Sequence, residues 1–187
     1  MSLTVDQRNS KVNRDQIAGD RVTNNYASPA TPRSVIEVLL DRLNKEIENN
    51  LHAKSVVDKL LRYNGQVTSD GVIGLEAKLA HANRQHEVLA ALEQKEQFAK
   101  LIERFSLYAS AQEIIVHLLA RAEYNFTHFV YPQLVQLNII QVNDIINQNI
   151  VLPTVNDCGA SVFAIDHGTA MGMIYWLAER CHVRWHQ

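Results

Sequence analysis

From Thr31 to Val151 apolar residues recur at three- and four-residue spacings with few breakers between them. A chain so patterned buries those residues by packing helices against one another. Thr31 stands where a cap is needed and Pro32 suits a first helical position, ahead of the stripe Ile36, Leu39, Leu40, Leu43 and Ile47. Asn49-Asn50 breaks that helix. A shorter one holds Val56, Val57, Leu60 and Leu61 and stops at Tyr63-Asn64-Gly65. Ser69 or Asp70 caps the next segment, which carries Leu75, Leu79, Ala82, His86 and Leu89 and reaches about Tyr108, as one helix or as two with a kink near Asn83. Ser110, with Glu113 three residues on, matches a capping box. It opens the expected central helix, with Ile114, Ile115, Leu118, Ala122, Phe126 and Phe129 inward until Tyr131-Pro132. Gln141 to Asn149 is predicted as a short helix with Val142, Ile145 and Ile146 inward. Ile150-Val151-Leu152-Pro153 is predicted as extended, and Thr154 to Ile165 as a loop holding a brief strand.

The last stretch, Ala170 to Trp185, is the most apolar. Asp166 is the predicted N-cap of a helix to about Arg180, with Met171, Ile174, Leu177 and Ala178 at helical spacing and Tyr175 and Trp176 widening the stripe. Cys181 to Trp185 is predicted as an extended tail packed on the Ser110–Tyr131 helix with Trp185 buried, since a terminal tryptophan is normally held by its neighbours. The fold class is therefore all-α, a multi-helix bundle with a short extended carboxy-terminal segment, a minor β element at most, and a non-helical amino-terminal tail. Seven glycines and four prolines in 187 residues favour that over a turn-rich β fold.

Residues 1–30 differ in kind from 31–187. They are polar, yet Val12, Ile17 and Val22 recur at a period of five, with Gly19 and Asp20 inside the repeat. One reading is a disordered leader, because such a composition buries too little surface to offset its ordering entropy. The other is a short β-type repeat that orders only by stacking on copies from other chains, which makes the protein a homo-oligomer.

A net charge of −2 leaves no electrostatic footprint for nucleic acid or an anionic membrane, and no apolar run is long enough to span a bilayer. The expected location is the cytoplasm, with Cys158 and Cys181 reduced. Cys158, His167, Cys181 and His182 or His186 include thiolate and imidazole donors, but their spacing is not that of a zinc site, so neither metal nor cofactor is expected. Cys181 and His182 are neighbours in a predicted extended segment and face opposite ways, which excludes a nucleophile–base pair. Arg84, His81, His86 and His117 read as solvated or satisfied helix residues. No glycine loop for phosphate and no framed carboxylate pair is present, so the chain is expected not to be an enzyme.

Several of these residues resemble one family. They are Ser110-Ala111-Gln112-Glu113-Ile114, the Tyr131-Pro132 helix end, the run through Ile145, Ile150 and Pro153, and Lys95-Glu96-x-Phe98-x-Lys100-x-Ile102. Above all there is Gly172-Met173-x-Tyr175-x-Leu177, followed by Cys181-His182-x-Arg184-Trp185. Together, over about residues 31–187, they are similar to the C-terminal domains of the bacterial ABC three-component conflict systems, and Gly19-Asp20-Arg21-Val22 resembles the Gly-Asp repeats that precede such domains. The resemblance implies a non-catalytic interaction and assembly module in antiviral defence, coupling an ABC-type ATPase through a middle component to an effector. Members usually carry an effector domain ahead of the module. Only some thirty polar residues precede it here, which implies a separate effector subunit or a stand-alone assembly component. The interaction and structural residues are then Val12, Ile17, Gly19, Asp20, Val22, Tyr175, Cys181, His182, Arg184 and Trp185. The alternative is a winged-helix-like nucleic-acid-binding regulator over 110–187; against it, residues 166–180 contain Arg180 and no other Lys or Arg.

Overall fold

The computed structural model describes residues 33–65 and 71–185. Thr31, Pro32, Ser69, Asp70, His186 and the repeat residues Val12, Ile17, Gly19, Asp20 and Val22 lie outside the described residues. Within them the chain is helical, and among the described residues there is no strand. The all-α expectation holds, and the brief strand within 154–165 is absent.

Helix α1 runs Val35–Glu48, and its cap is Ser34, whose hydroxyl accepts from the Glu37 amide while the Glu37 carboxylate accepts from the Ser34 amide. Ile36, Leu39 and Leu43 are buried. Helix α2, Asp58–Asn64, buries Leu60 and Tyr63, whereas Val56 and Leu61 are exposed. The stretch predicted to follow a cap at Ser69 or Asp70 starts as helix at Leu75 and is interrupted, as a kink near Asn83 would require. Helix α3 is Leu75–His81, Asn83 takes φ +56°, a short 3₁₀ turn covers Gln85–Glu87, and α4 covers Val88–Phe105. The break rotates the stripe, so Leu89, expected inside, is 84% exposed, and α4 buries Ala91, Phe98 and Phe105 instead.

Helix α5, Ala109–Asn125, is capped differently from the sequence expectation. Tyr108 occupies the cap position, and Ser110 lies inside the first turn. The reason is Glu46 of α1, whose carboxylate accepts from both the Ser110 amide (3.1 Å) and the Ser110 hydroxyl (2.7 Å). A side chain from a neighbouring helix thus supplies the acceptor that a local capping box would have supplied. Gln112, also buried, accepts from the Val57 amide and donates to the Ser106 carbonyl. Beyond α5 the chain stays helical through a π turn at Phe126–Val130 and a 3₁₀ turn at Tyr131–Gln133. The wider π turn keeps Phe126 and Val130 inside but turns Phe129 outward, against expectation.

Helix α6, Ile139–Ile146, has a capping box of Asn138 and Gln141. The predicted extended run at Ile150–Pro153 is instead a π turn, Asn147–Val151, leading directly into α7, Leu152–Cys158. Pro153 ordinarily deprives the carbonyl four residues back of its donor. Here the side-chain amide of Asn125 donates to that Asn149 carbonyl (2.7 Å), and the Thr154 hydroxyl donates to Ile150 (2.7 Å). The Asn125 donor from α5 repairs the break, so the helix survives its proline.

Helix α8, His167–Glu179, is capped by Asp166 as expected and is buried on all sides from Ala170 to Ala178, save for half-buried Met171. It lies most extensively against α4. The two meet at Gly172, where a Cβ would stand 2.5 Å from the Gln94 carbonyl carbon and closer still to its oxygen. That approach needs glycine. Phe98 of α4 then meets Trp176 edge to face at 6.0 Å.

Two reciprocal contacts join α3 to α8. Lys78, fully buried, donates to the Ala178 carbonyl (2.7 Å) at the negative end of α8 and to Val183 (3.3 Å) in the tail. Glu179 of α8 accepts from the Leu75 amide (2.9 Å), the first of α3, where Gly74 at φ +87° turns the chain and has no side chain to cap with.

Gly172→Ala is expected to destabilise the protein by about 3 kcal/mol, because backbone cannot yield as a side chain would. Gly168→Ala, whose Cβ meets nothing nearer than 3.5 Å, is expected to change stability by about 1 kcal/mol or less. Urea denaturation of the two variants checks the contrast.

Candidate functional site

The tail begins with a turn. Cys181 takes φ +63°, its amide donates to the Ala178 carbonyl, and the His182 amide donates to Leu177. These are the paired bonds that end helices at a left-handed residue, usually glycine. A non-glycine residue there costs about 1–2 kcal/mol, offset by the burial of the Cys181 side chain. The turn sends the chain back along the bundle. His182 and Trp185 both end up with buried side chains.

Trp185, 1% exposed, sits against Phe126 just past α5, as expected for a tail on that helix. Tyr175 stacks on it at 5.9 Å, and the Arg84 guanidinium carbon lies 4.6 Å from its ring centre. Arg84 is 3% exposed, so it is satisfied rather than solvated. Its Nε donates to Glu87 (2.9 Å) and its Nη2 to the Asn143 side-chain oxygen. The Tyr175 hydroxyl also donates to Glu87 (3.4 Å), and burial first, then that carboxylate, push the phenol up to about 12. One atom is left over: the indole Nε1 of Trp185 is buried with no acceptor. An orphaned donor of that kind costs about 1–3 kcal/mol.

His182 faces a second group. Its Nδ1 lies 3.8 Å from Glu123 of α5, which also accepts from the Tyr63 hydroxyl (2.9 Å) and from Arg62 (3.1 Å). The imidazole lies 5.0 Å from the Tyr63 ring, and its Nε2 is buried without a partner. Burial first, with Arg62 and Arg180 adding, holds the His182 pKa below its ordinary value, while Glu123 and a Gly65 backbone group oppose that. Tyr63 is pushed up to about 12, by burial first and then by Glu123.

Two clefts open on the tail. One, of about 710 Å³, is walled by the turn at Ala82–Arg84, by Leu134 to Val142 and by Trp185. The other, of about 420 Å³, is lined by Arg62, Glu123, Tyr131, His182 and Arg184 among others. Of the residues singled out in the sequence, Tyr175 and Trp185 are brought together, and His182 and Arg184 share the second cleft. Arg84, Glu87, Glu123 and Lys78 were not marked as part of it. Lys78 carried a signal, since a charge three residues after Leu75 falls on the inward face of a short helix. Among the described residues no group of three His, Cys, Asp or Glu side chains is placed to hold a metal. Cys158 is fully buried, and burial pushes its thiol up to about 12. It is protonated at neutral pH and so a poor nucleophile.

His182 supplies a pH dependence. An unfolded histidine ionises near pH 6.5, about its ordinary value, and the folded one lower. Between the two the unfolded chain binds more protons, so stability is fully present above about pH 6.5 and is lost as pH falls through the folded value. Urea unfolding at a series of pH values from about 7.5 to 5 is expected to show that decline in the wild type and a shallower one in His182→Gln.

No curated protein matches the chain, and no solved structure matches it. A family model does, over residues 74–185, from the glycine that precedes α3 to the tryptophan that closes the tail, more than half of the chain. By that match the chain belongs to the family of C-terminal domain 9 of the ABC-three component (ABC-3C) systems.

Proposed function

We propose that this chain is a non-catalytic interaction and assembly module of a prokaryotic ABC three-component defence system, working in the cytoplasm and coupling an ATPase or middle component to an effector. The family match over residues 74–185 carries this reading. The use made of the motif supports it: Tyr175, His182 and Trp185 have buried side chains held by neighbours rather than groups presented to a substrate. The absence of a strand among the described residues leaves the winged-helix alternative without a wing.

Co-expressed with the ATPase and middle components of its own system, the chain is expected to co-elute with at least one of them at fixed stoichiometry. Elution alone overturns the reading. Duplex DNA binding that fades steeply with salt replaces it with the regulator, because phosphate contacts release counterions. We further propose that residues 1–30, with Val12, Ile17 and Val22 stacking between chains, hold the protein as a homo-oligomer. Light scattering is expected to find a larger assembly for the full chain than for a variant beginning at Thr31; equal copy numbers refute it.

A further inference from the structure

Helix α2 ends on a chemically reactive pair. Asn64 is its last residue and Gly65 the first beyond it, and theirs is the one asparagine-glycine step in the sequence. Both residues are exposed. Gly65 takes φ −80° and ψ 149°, ordinary extended backbone, and a Cβ there would meet nothing nearer than the Arg62 carbonyl oxygen at 3.8 Å. The fold therefore accommodates alanine at 65, and what glycine contributes is an amide nitrogen that no Cβ shields. Helix ends fray, which lets the Asn64 side chain turn onto that nitrogen. The surroundings give the pair a consequence. Tyr63, one residue back, is buried, and its hydroxyl donates to Glu123 of α5 (2.9 Å). One residue on, a backbone group of Gly65 is a hydrogen-bonding partner of the His182 imidazole. Asn64 is thus the exposed link between two anchors, one on α5 and one on the tail.

We infer that Asn64-Gly65 is a site of spontaneous covalent modification, at which succinimide formation converts Asn64 to aspartate or isoaspartate and loosens α2 from the tail. The Gly65 nitrogen, losing its proton to solvent base, attacks the Asn64 Cγ carbonyl. A new C–N bond closes the five-membered ring, and the side-chain nitrogen leaves as ammonia. Water then opens the ring. Cleavage at the side-chain carbonyl gives aspartate, and cleavage at the main-chain carbonyl gives isoaspartate, whose backbone runs through Cβ. The net change consumes one water and releases one ammonia. Either product places a carboxylate at the negative end of α2, where it is disfavoured. Isoaspartate also adds a methylene to the main chain between Tyr63 and Gly65, so the two anchors no longer fit together.

The inference stands apart from the assembly reading and is tested without a partner. The full chain is held in mildly alkaline buffer at physiological temperature, and peptides from successive samples are sequenced by mass spectrometry. Asn64 is expected to gain one mass unit ahead of every other asparagine, including the exposed Asn49 and Asn50. In Gly65→Ala the gain at Asn64 is expected to slow to the pace of those two. Aged wild type is expected to unfold at lower urea than fresh protein. Aged Asn64→Gln, whose longer side chain closes a ring far more slowly, is expected to unfold where its fresh form does. An Asn64 that gains mass no faster than the others, or as fast in Gly65→Ala, overturns the modification site. A modified wild type whose urea midpoint stays at the fresh value, or an equal ageing loss in Asn64→Gln, overturns the loosening of α2.

Discussion

The backbone contact on which the rest of the molecule depends is that of Gly172 of α8 against Gln94 of α4. A helix buried on nearly every side can exist only if its neighbours reach it, and α4 reaches it at a position with no side chain. Placing the backbones in contact there brings Phe98 within ring contact of Trp176. It also explains a feature of α4 that composition alone makes puzzling. The run Glu93-Gln94-Lys95-Glu96-Gln97 has no apolar residue, yet it lies in the middle of a packed helix, because what α8 meets there is main chain rather than side chain.

Once α8 is fixed, its carboxy-terminal end determines the tail. Helix ends leave carbonyls without donors, and inside a core those carbonyls must be met. The buried Lys78 ammonium meets Ala178, and by reaching Val183 as well it ties the tail to the same atom. Cys181 turns the chain left-handed, and the Cys181 and His182 amides satisfy Ala178 and Leu177. The aromatic stack on Trp185 is therefore the consequence of a helix termination, with Tyr175 contributed by the helix and Trp185 by the tail beyond its end.

Helix periodicity was legible over most of the chain because it reports burial directly: Ile36, Leu39, Leu43, Ile114, Ile115 and Leu118 are inside as their spacing requires. The Asp166 cap was legible because its acceptor and donor lie three residues apart. The misread positions have a common cause. Ser110 matched a local cap, but its carboxylate partner comes from Glu46, on another helix. Pro153 matched a helix stop, but Asn125 supplies the missing donor from α5. Phe129 and Leu89 were assigned by extending a stripe across a π turn and a left-handed Asn83, each of which shifts the phase. The candidate site was half legible. Its aromatics stand out by rarity, whereas Arg84 and Glu123 are placed in the site by partners distant in sequence, Asn143 and Tyr63.

The limits of the family match acquire a physical meaning here. The matched stretch starts at Gly74 and ends at Trp185, and its two ends are bound to each other by Glu179 on the Leu75 amide and by Lys78 on the Val183 carbonyl. Such a segment is closed on itself. It is not, however, complete in this chain. Helices α1 and α2 lie outside the match, yet Leu43, Leu60 and Tyr63 are buried with the same core, Glu46 caps α5, and Tyr63 holds Glu123 beside His182. Removing α1 and α2 would expose the apolar face of α5 that they cover and leave the Ser110 amide without its acceptor. The interlocked 74–185 segment is thus the part that sets the shape around Trp185, and the two preceding helices are what this chain uses to seal it.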